Sequence, residues 1–209
     1  MLNRRLALTL LSSAAFGLVA CSKEEAGGPP KADAGAPIDP AQAYDTVSRE
    51  AKGFSAGALM SAHTVYVLFD PQCPHCSHLW EASLPLHTKL KFVWAPVAII
   101  GAQSLPQGAA LMQATNPVEA MTAHEKSLLA GQGGMSASAS VPAEIEATIK
   151  ANTGLLDRLG ADSVPFIVAR HTTSGQVLAD TAAGNEAAER AARAAAESLR
   201  LAMLASLSR

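Results

Sequence analysis

The feature that most constrains this chain is a pair of cysteines placed where a strand hands over to a helix. His63 to Phe69 reads HTVYVLF, a β-branched and aromatic run with the composition of a buried strand. Directly after it comes Asp70-Pro71-Gln72-Cys73-Pro74-His75-Cys76, followed by helical spacing that clusters Leu79, Trp80, Ser83 and Leu84 on a face. A CxxC at that junction sets Cys73 at a helix N-terminus. There the unpaired N–H groups and the positive end of the macrodipole favour its thiolate. Cys76, on the same side of the first turn, falls within disulfide reach. Pro74 sits where a missing N–H costs nothing, and His75 can bring a positive charge or a donor to the sulfur. Such settings lower a thiol pKa from about 8.5 to ~3.5–7.5 and speed disulfide exchange.

Other uses of the two cysteines fit less well. A c-type haem site needs His after the second Cys, where this chain has Ser77. A closed zinc site wants four ligands, and Cys73 and Cys76 would have to recruit His75 or His78 and another group. A structural disulfide across so short a loop removes little unfolded-state entropy. No metal or cofactor is therefore expected at the dithiol.

The rest of the chain alternates between helix and strand. Asp39-Pro40 opens a helix running to about Lys52. The helix after Cys73 extends towards Lys89, with Pro85 shortening or kinking it. Phe92 to Ile100 (FVWAPVAII) reads as a second strand, with Pro96 implying an edge or bulge position. Helices are expected at about 107–115, 117–130 and 142–159, with 131–140 as a loop between the last two. Pro165 to Ala169 and Gln176 to Leu178 form two strands joined at Ser174-Gly175. An alanine-rich helix spans Asn185 to Leu207. The order predicts an α/β domain with a helical insertion.

Arg4 and Arg5 precede an apolar run from Leu6 to Leu18, well short of the roughly 20 residues of a spanning helix. Residues 1–20 thus read as a secretory signal peptide. Leu18-Val19-Ala20-Cys21 resembles a bacterial lipobox, which makes Cys21 the lipidated first residue of the mature chain and accounts for the odd one of three cysteines. By resemblance to proteobacterial lipoprotein sorting, Ser22, where an inner-membrane retention signal would carry Asp, favours the outer membrane. Residues 21–38 hold a Gly-, Pro- and charge-rich tether, of which some 15 flexible residues reach roughly 20 Å. The net charge of -2 and a pI of about 6.3 carry no basic footprint for nucleic acid.

Taken together, Val65 to Cys76 with Leu79-Trp80 and Pro85, then Trp94-Ala95-Pro96-Val97, Leu159-Gly160-Ala161 and Val164-Pro165, resemble the catalytic domain of the periplasmic DsbG/DsbC thiol:disulfide interchange proteins, DsbG especially. The resemblance covers roughly residues 60 to 206 and implies a thioredoxin-like fold over 39–209. It makes Cys73 the attacking thiol and Cys76 the resolving one. Val164 and Pro165 would form a cis-proline loop that binds substrate peptide. Cysteine-containing envelope proteins would be the substrates, with a DsbD-type membrane electron donor or, for the opposite direction, a DsbB-type acceptor.

This chain departs from that family in three ways. Only about 40 residues separate Cys21 from the first catalytic strand, too few for the family's N-terminal dimerisation domain, so a monomer is expected. Pro74-His75 and the Val before Pro165 resemble the oxidase DsbA. Val67 stands where thioredoxin and DsbA bury a carboxylate. Asp70 is the nearest acid, with two roles open to it, capping the turn or relaying protons. Three activities follow: a tethered extracytoplasmic reductase or isomerase that also fits sulfenic acids, a DsbA-like oxidase, and a metal chaperone or binding lipoprotein.

Overall fold

The structure is a computed structural model that describes residues 35–171 and 174–181. The signal peptide, Cys21, most of the tether and the alanine-rich helix expected at 185–207 lie outside the described residues.

Five strands form one sheet in the order β1-β3-β2-β4-β5: β1 (Phe54–Gly57), β2 (Thr64–Phe69), β3 (Lys91–Pro96), β4 (Phe166–Arg170) and β5 (Val177–Thr181). β2 and β3 are parallel; the other three pairings are antiparallel. The parallel pair is bridged by the crossover a parallel ladder demands: α2 (Pro74–Ser83) and a short 3-10 turn, Leu84–Thr88, that begins just before Pro85. Pro85 therefore shortens the helix as its ring predicts. Val65 and Val67 are buried along β2, and from Val67 to Phe69 burial is continuous, the pattern of a strand covered on both faces.

α1 (Ala43–Glu50) follows a 3-10 turn, Pro40–Gln42, capped by the Asp39 carboxylate, which accepts from Ala41 N–H at 2.8 Å. The chain docks on this body from Ile38, which packs on the core and donates its N–H to Arg158 O. Between β3 and β4 come α3 (Ser104–Gln113), α4 (Pro117–Leu129) and α5 (Ala143–Arg158), the predicted helical insertion. Asn116 caps α4 by accepting from Glu119 N–H.

Two expectations need correction. β1 has no counterpart in the sequence reading. Its FSAG stretch lacks β-branched residues, and its place is set by pairing with β3 from Phe54↔Trp94 to Gly57↔Lys91. Gly53 leads into it because a Cβ there would run into the Trp94 carbonyl. The second correction concerns β3, which ends at Pro96 and lies inside the sheet rather than at its edge. Proline is tolerated because the β1 ladder stops at Trp94, while the next N–H, of Val97, reaches Phe69 O across β2. The position facing the missing N–H has no strand to serve.

Beneath α2 lies an aromatic cluster. Trp80 meets Trp94 edge-on at 5.1 Å between centroids, and Phe69 and Phe54 close the group. Both tryptophans are fully buried, so the helix that Cys73 caps is pinned four residues beyond Cys76. Asn152 of α5 ties the far side, bonding Lys52 N–H, Lys52 O and Pro96 O.

Candidate active site

The β2–α2 turn is organised by Asp70. Its carboxylate is fully buried and accepts from four donors: Gln72 N–H, Ser104 Oγ–H, and the Ile99 and Ile100 amides. Its carbonyl accepts from Cys73 N–H. Of the two roles open to Asp70, the geometry realises the cap: every donor belongs to the turn or to the segment after β3.

Cys73 is the N-cap of α2 in extended backbone conformation, and Pro74 is the first helical residue. Cys76 N–H donates to Cys73 O at 3.0 Å. Both cysteines are free thiols and both are buried. Their titrations are pushed apart. The Cys76 thiol donates to Cys73 and holds it down at about 7, helped against burial by the backbone N–H groups of Cys76 and His75. Cys76 is driven well up, by burial above all and then by its bond and repulsion with Cys73. The His75 side chain is exposed, as is Pro74, so the His75 group acting on the sulfur is its backbone amide. From the opposite side, the Cys73 Sγ–H reaches Val164 O at 3.4 Å, and the Val164–Pro165 bond is cis. The structure thus brings Cys73, Cys76, Pro74, His75, Val164 and Pro165 to one end of the sheet, while Cys21 lies outside the described residues.

The insertion supplies groups that the sequence reading did not single out. α4 carries His124 and Glu125 side by side, both buried. His124 Nδ1 accepts from Met135 N–H at 3.0 Å, which leaves Nε2 to carry the proton and donate to Pro71 O at 2.7 Å. Burial lowers its pKa, against the Pro71 bond. Gln107 of α3 donates to Gly133 O and Met135 O, and Gln72 also reaches Gly133 O. Residues 133–135 are thereby laced to the turn that precedes Cys73. Glu125 Oε2 accepts from Ser77 Oγ–H, next to Cys76. Burial, opposed by the Ser77 bond and reinforced by Cys73 and Glu81, raises the Glu125 carboxyl to about 8. A signal for these residues exists in the sequence: Met121, His124, Glu125 and Leu128 repeat at i, i+3, i+4, i+7, which puts two ionisable groups on the apolar stripe of a helix.

The fold and the site together define a thioredoxin-like protein with an asymmetric CxxC pair. The catalytic domain of Proteus mirabilis ScsC superposes with a TM-score of 0.56 at 16% identity, covering 77% of this chain and 98% of that one. A periplasmic thioredoxin-like protein from Salmonella enterica serovar Typhimurium gives 0.53 at 15% identity, covering 78% and 92%. By sequence the particular resemblance is to the thiol:disulfide interchange protein DsbG. The Pseudomonas aeruginosa protein is 29% identical over 113 residues, 53% of this chain and 43% of its own length. That of Escherichia coli is 30% identical over 105 residues, 49% and 42% respectively. The chain thus spans less than half the length of these curated relatives. No family model matches it.

Proposed function

We propose that this chain is an extracytoplasmic thiol:disulfide oxidoreductase. The supporting observation is the split within the dithiol: Cys73 is brought to about 7 while Cys76 is driven up, so at neutral pH one sulfur is the nucleophile and the other is held in reserve. Cys73 thiolate attacks a client disulfide, expelling the other client sulfur as a thiolate, or a cysteine sulfenic acid, expelling its oxygen as water, and is joined to the client through sulfur. Cys76 then displaces the client, leaving Cys73–Cys76 oxidised. The Val164 carbonyl beside Cys73 is positioned to pair with the backbone of an extended client.

The likeness to DsbG favours reduction or isomerisation, with a DsbD-type donor restoring the dithiol. The exposed Pro74-His75 and the valine before Pro165 favour DsbA-like oxidation with a DsbB-type acceptor. In either direction the clients are cysteine-containing envelope proteins. In the same reading, residues 1–20 are removed, Cys21 is lipidated and 21–38 tether a monomeric domain beginning at Asp39 to the outer membrane.

Two measurements test it. Cys76→Ser should accumulate client mixed disulfides through Cys73, and Cys73→Ser should abolish exchange; intact exchange in Cys73→Ser overturns the assignment. Acid trapping with a thiol label in cells sets the direction, a mostly reduced pair meaning reductase or isomerase and a mostly oxidised pair meaning oxidase.

A further inference from the structure

Among the described residues two carboxylates are buried, Asp70 and Glu125, and they are held in opposite ways. Asp70 is saturated by four donors. Glu125 Oε2 receives only the Ser77 hydroxyl, and its Oε1, fully enclosed, meets no hydrogen-bond partner among the described residues. A buried carboxylate with one oxygen unsatisfied costs several kcal/mol if ionised, and a carboxyl in that position keeps a proton instead. The proton belongs on Oε1, because Oε2 is already accepting.

The surroundings of that proton are specific. On α2, Glu125 interacts electrostatically with Cys73, Cys76 and Glu81 as well as bonding Ser77. Its neighbour on α4, His124, has both ring nitrogens engaged elsewhere. The other elements packed against α4, α3 and β1, carry no titratable side chain. The histidines of α2, His75 and His78, are exposed, and among the described residues Glu125 makes no ion pair. Its charge state is tied instead to the two sulfurs.

We propose that Glu125 is the internal proton store of the dithiol, its carboxyl exchanging a proton with Cys76 Sγ through one water whenever the Cys73–Cys76 bond closes or opens. The inference rests on the reading of Cys73 and Cys76 as the reacting pair. In the closing direction a client is bonded to Cys73, whose thiolate charge is gone, and with it one of the forces that keep Glu125 protonated. Glu125 then releases its own proton to solvent, and the carboxylate so formed takes the Cys76 proton as the Cys76 thiolate attacks Cys73 Sγ. The Cys73–Cys76 bond forms, the bond to the client breaks, and the client leaves as a thiolate that is protonated by solvent. Two electrons pass from the dithiol to the client disulfide. In the opening direction an incoming thiolate attacks Cys73, the bonding pair goes to Cys76 Sγ, and Glu125 returns the proton to it. Without this exchange, Cys76 has only solvent as proton acceptor, from a position with no exposure.

The test uses one equivalent of an aromatic disulfide with a coloured thiolate. The first coloured thiolate reports attack by Cys73, the second its displacement by Cys76. Glu125→Gln, which keeps the shape and the Ser77 bond, should leave the first phase within a few-fold of wild type. It should slow the second at least ~10²-fold near neutral pH, in the range of general acid–base catalysis. The slowed phase should rise about tenfold per pH unit as Cys76 ionises to solvent. A second phase with the wild-type rate and pH profile overturns the proposal, as does equal slowing of both phases, the mark of a structural role. A wild-type protein that releases no second thiolate would break the reading of the dithiol itself, and this inference with it. Infrared difference spectra of the wild type give an independent readout: the protonated-carboxyl band must differ between dithiol and mixed-disulfide forms, and an unchanged band overturns the proposal even if Glu125→Gln does not fold.

Discussion

Two sides of the dithiol are built by different logic. On the β2–α2 side everything is local: a strand, a turn held by Asp70, and a helix whose first residues are Pro74, His75 and Cys76. On the α4 side the groups arrive from some 50 residues away, His124 bonding Pro71 O and Glu125 bonding Ser77. The local side decides where the sulfurs sit and which of them ionises first. The distant side decides how the turn is braced and where a proton can be kept. A short motif can therefore announce the reaction class while being silent on its proton handling.

Removing Asp70 tests the local side most severely. Asp70→Ala leaves the Ile99 and Ile100 amides, the Gln72 N–H and the Ser104 hydroxyl without their acceptor. At about 1–3 kcal/mol for each buried group that finds no water, a total loss of at least ~3 kcal/mol is expected. Urea unfolding measures it, and a loss below about 1 kcal/mol would remove Asp70 from the centre of the site.

The distant side is probed by Gly134→Ala. Gly134 has φ near +83° and a Cβ there would run into the His124 ring, so strain and displacement should cost ~1–3 kcal/mol. The Cys73 thiolate titration should move with it if residues 133–135 brace the turn. An unchanged titration would separate the two sides of the site.

The smallest expected effect is a pH slope. His124 has a lowered pKa because its neutral form is buried. The unfolded chain then binds more protons than the folded one at pH values below the ordinary histidine range, and stability falls as pH drops through and below about 6.5. His124→Gln, which offers an amide in place of the neutral ring, should flatten that slope. An equal slope in both proteins would assign it to other groups.

Much of this was legible beforehand. The CxxC, the flanking strand, the shortened helix at Pro85, the insertion and the β4–β5 hairpin all rest on short-range patterns. β1 was not, because FSAG carries no strand signature and becomes a strand only when β3 lies beside it. Pro96 was placed at an edge or bulge because proline lacks an N–H, and only the register shows that the β1 ladder has already ended there. His124 shows no ligand spacing in the sequence, and the structure places it as a satisfied core residue. Glu125 went unnoticed because an acid in a helix ordinarily faces water; its place on the stripe of Met121 and Leu128 marks it for burial, but nothing near it in the sequence reveals that its partner is Ser77, beside Cys76.

The bonds from the insertion also bear on how separable it is. Trimming α3 to α5 to leave a bare sheet and α2 would strip Trp80 Nε1 of Thr122, Ser77 of Glu125, Pro71 O of His124 and Asp70 of Ser104. Each is a buried or half-buried polar group of the β2–α2 unit that the cut would leave without its partner. The helical insertion is thus not an accessory grafted on a finished scaffold: for chain engineering, the smallest unit that can carry this dithiol includes it.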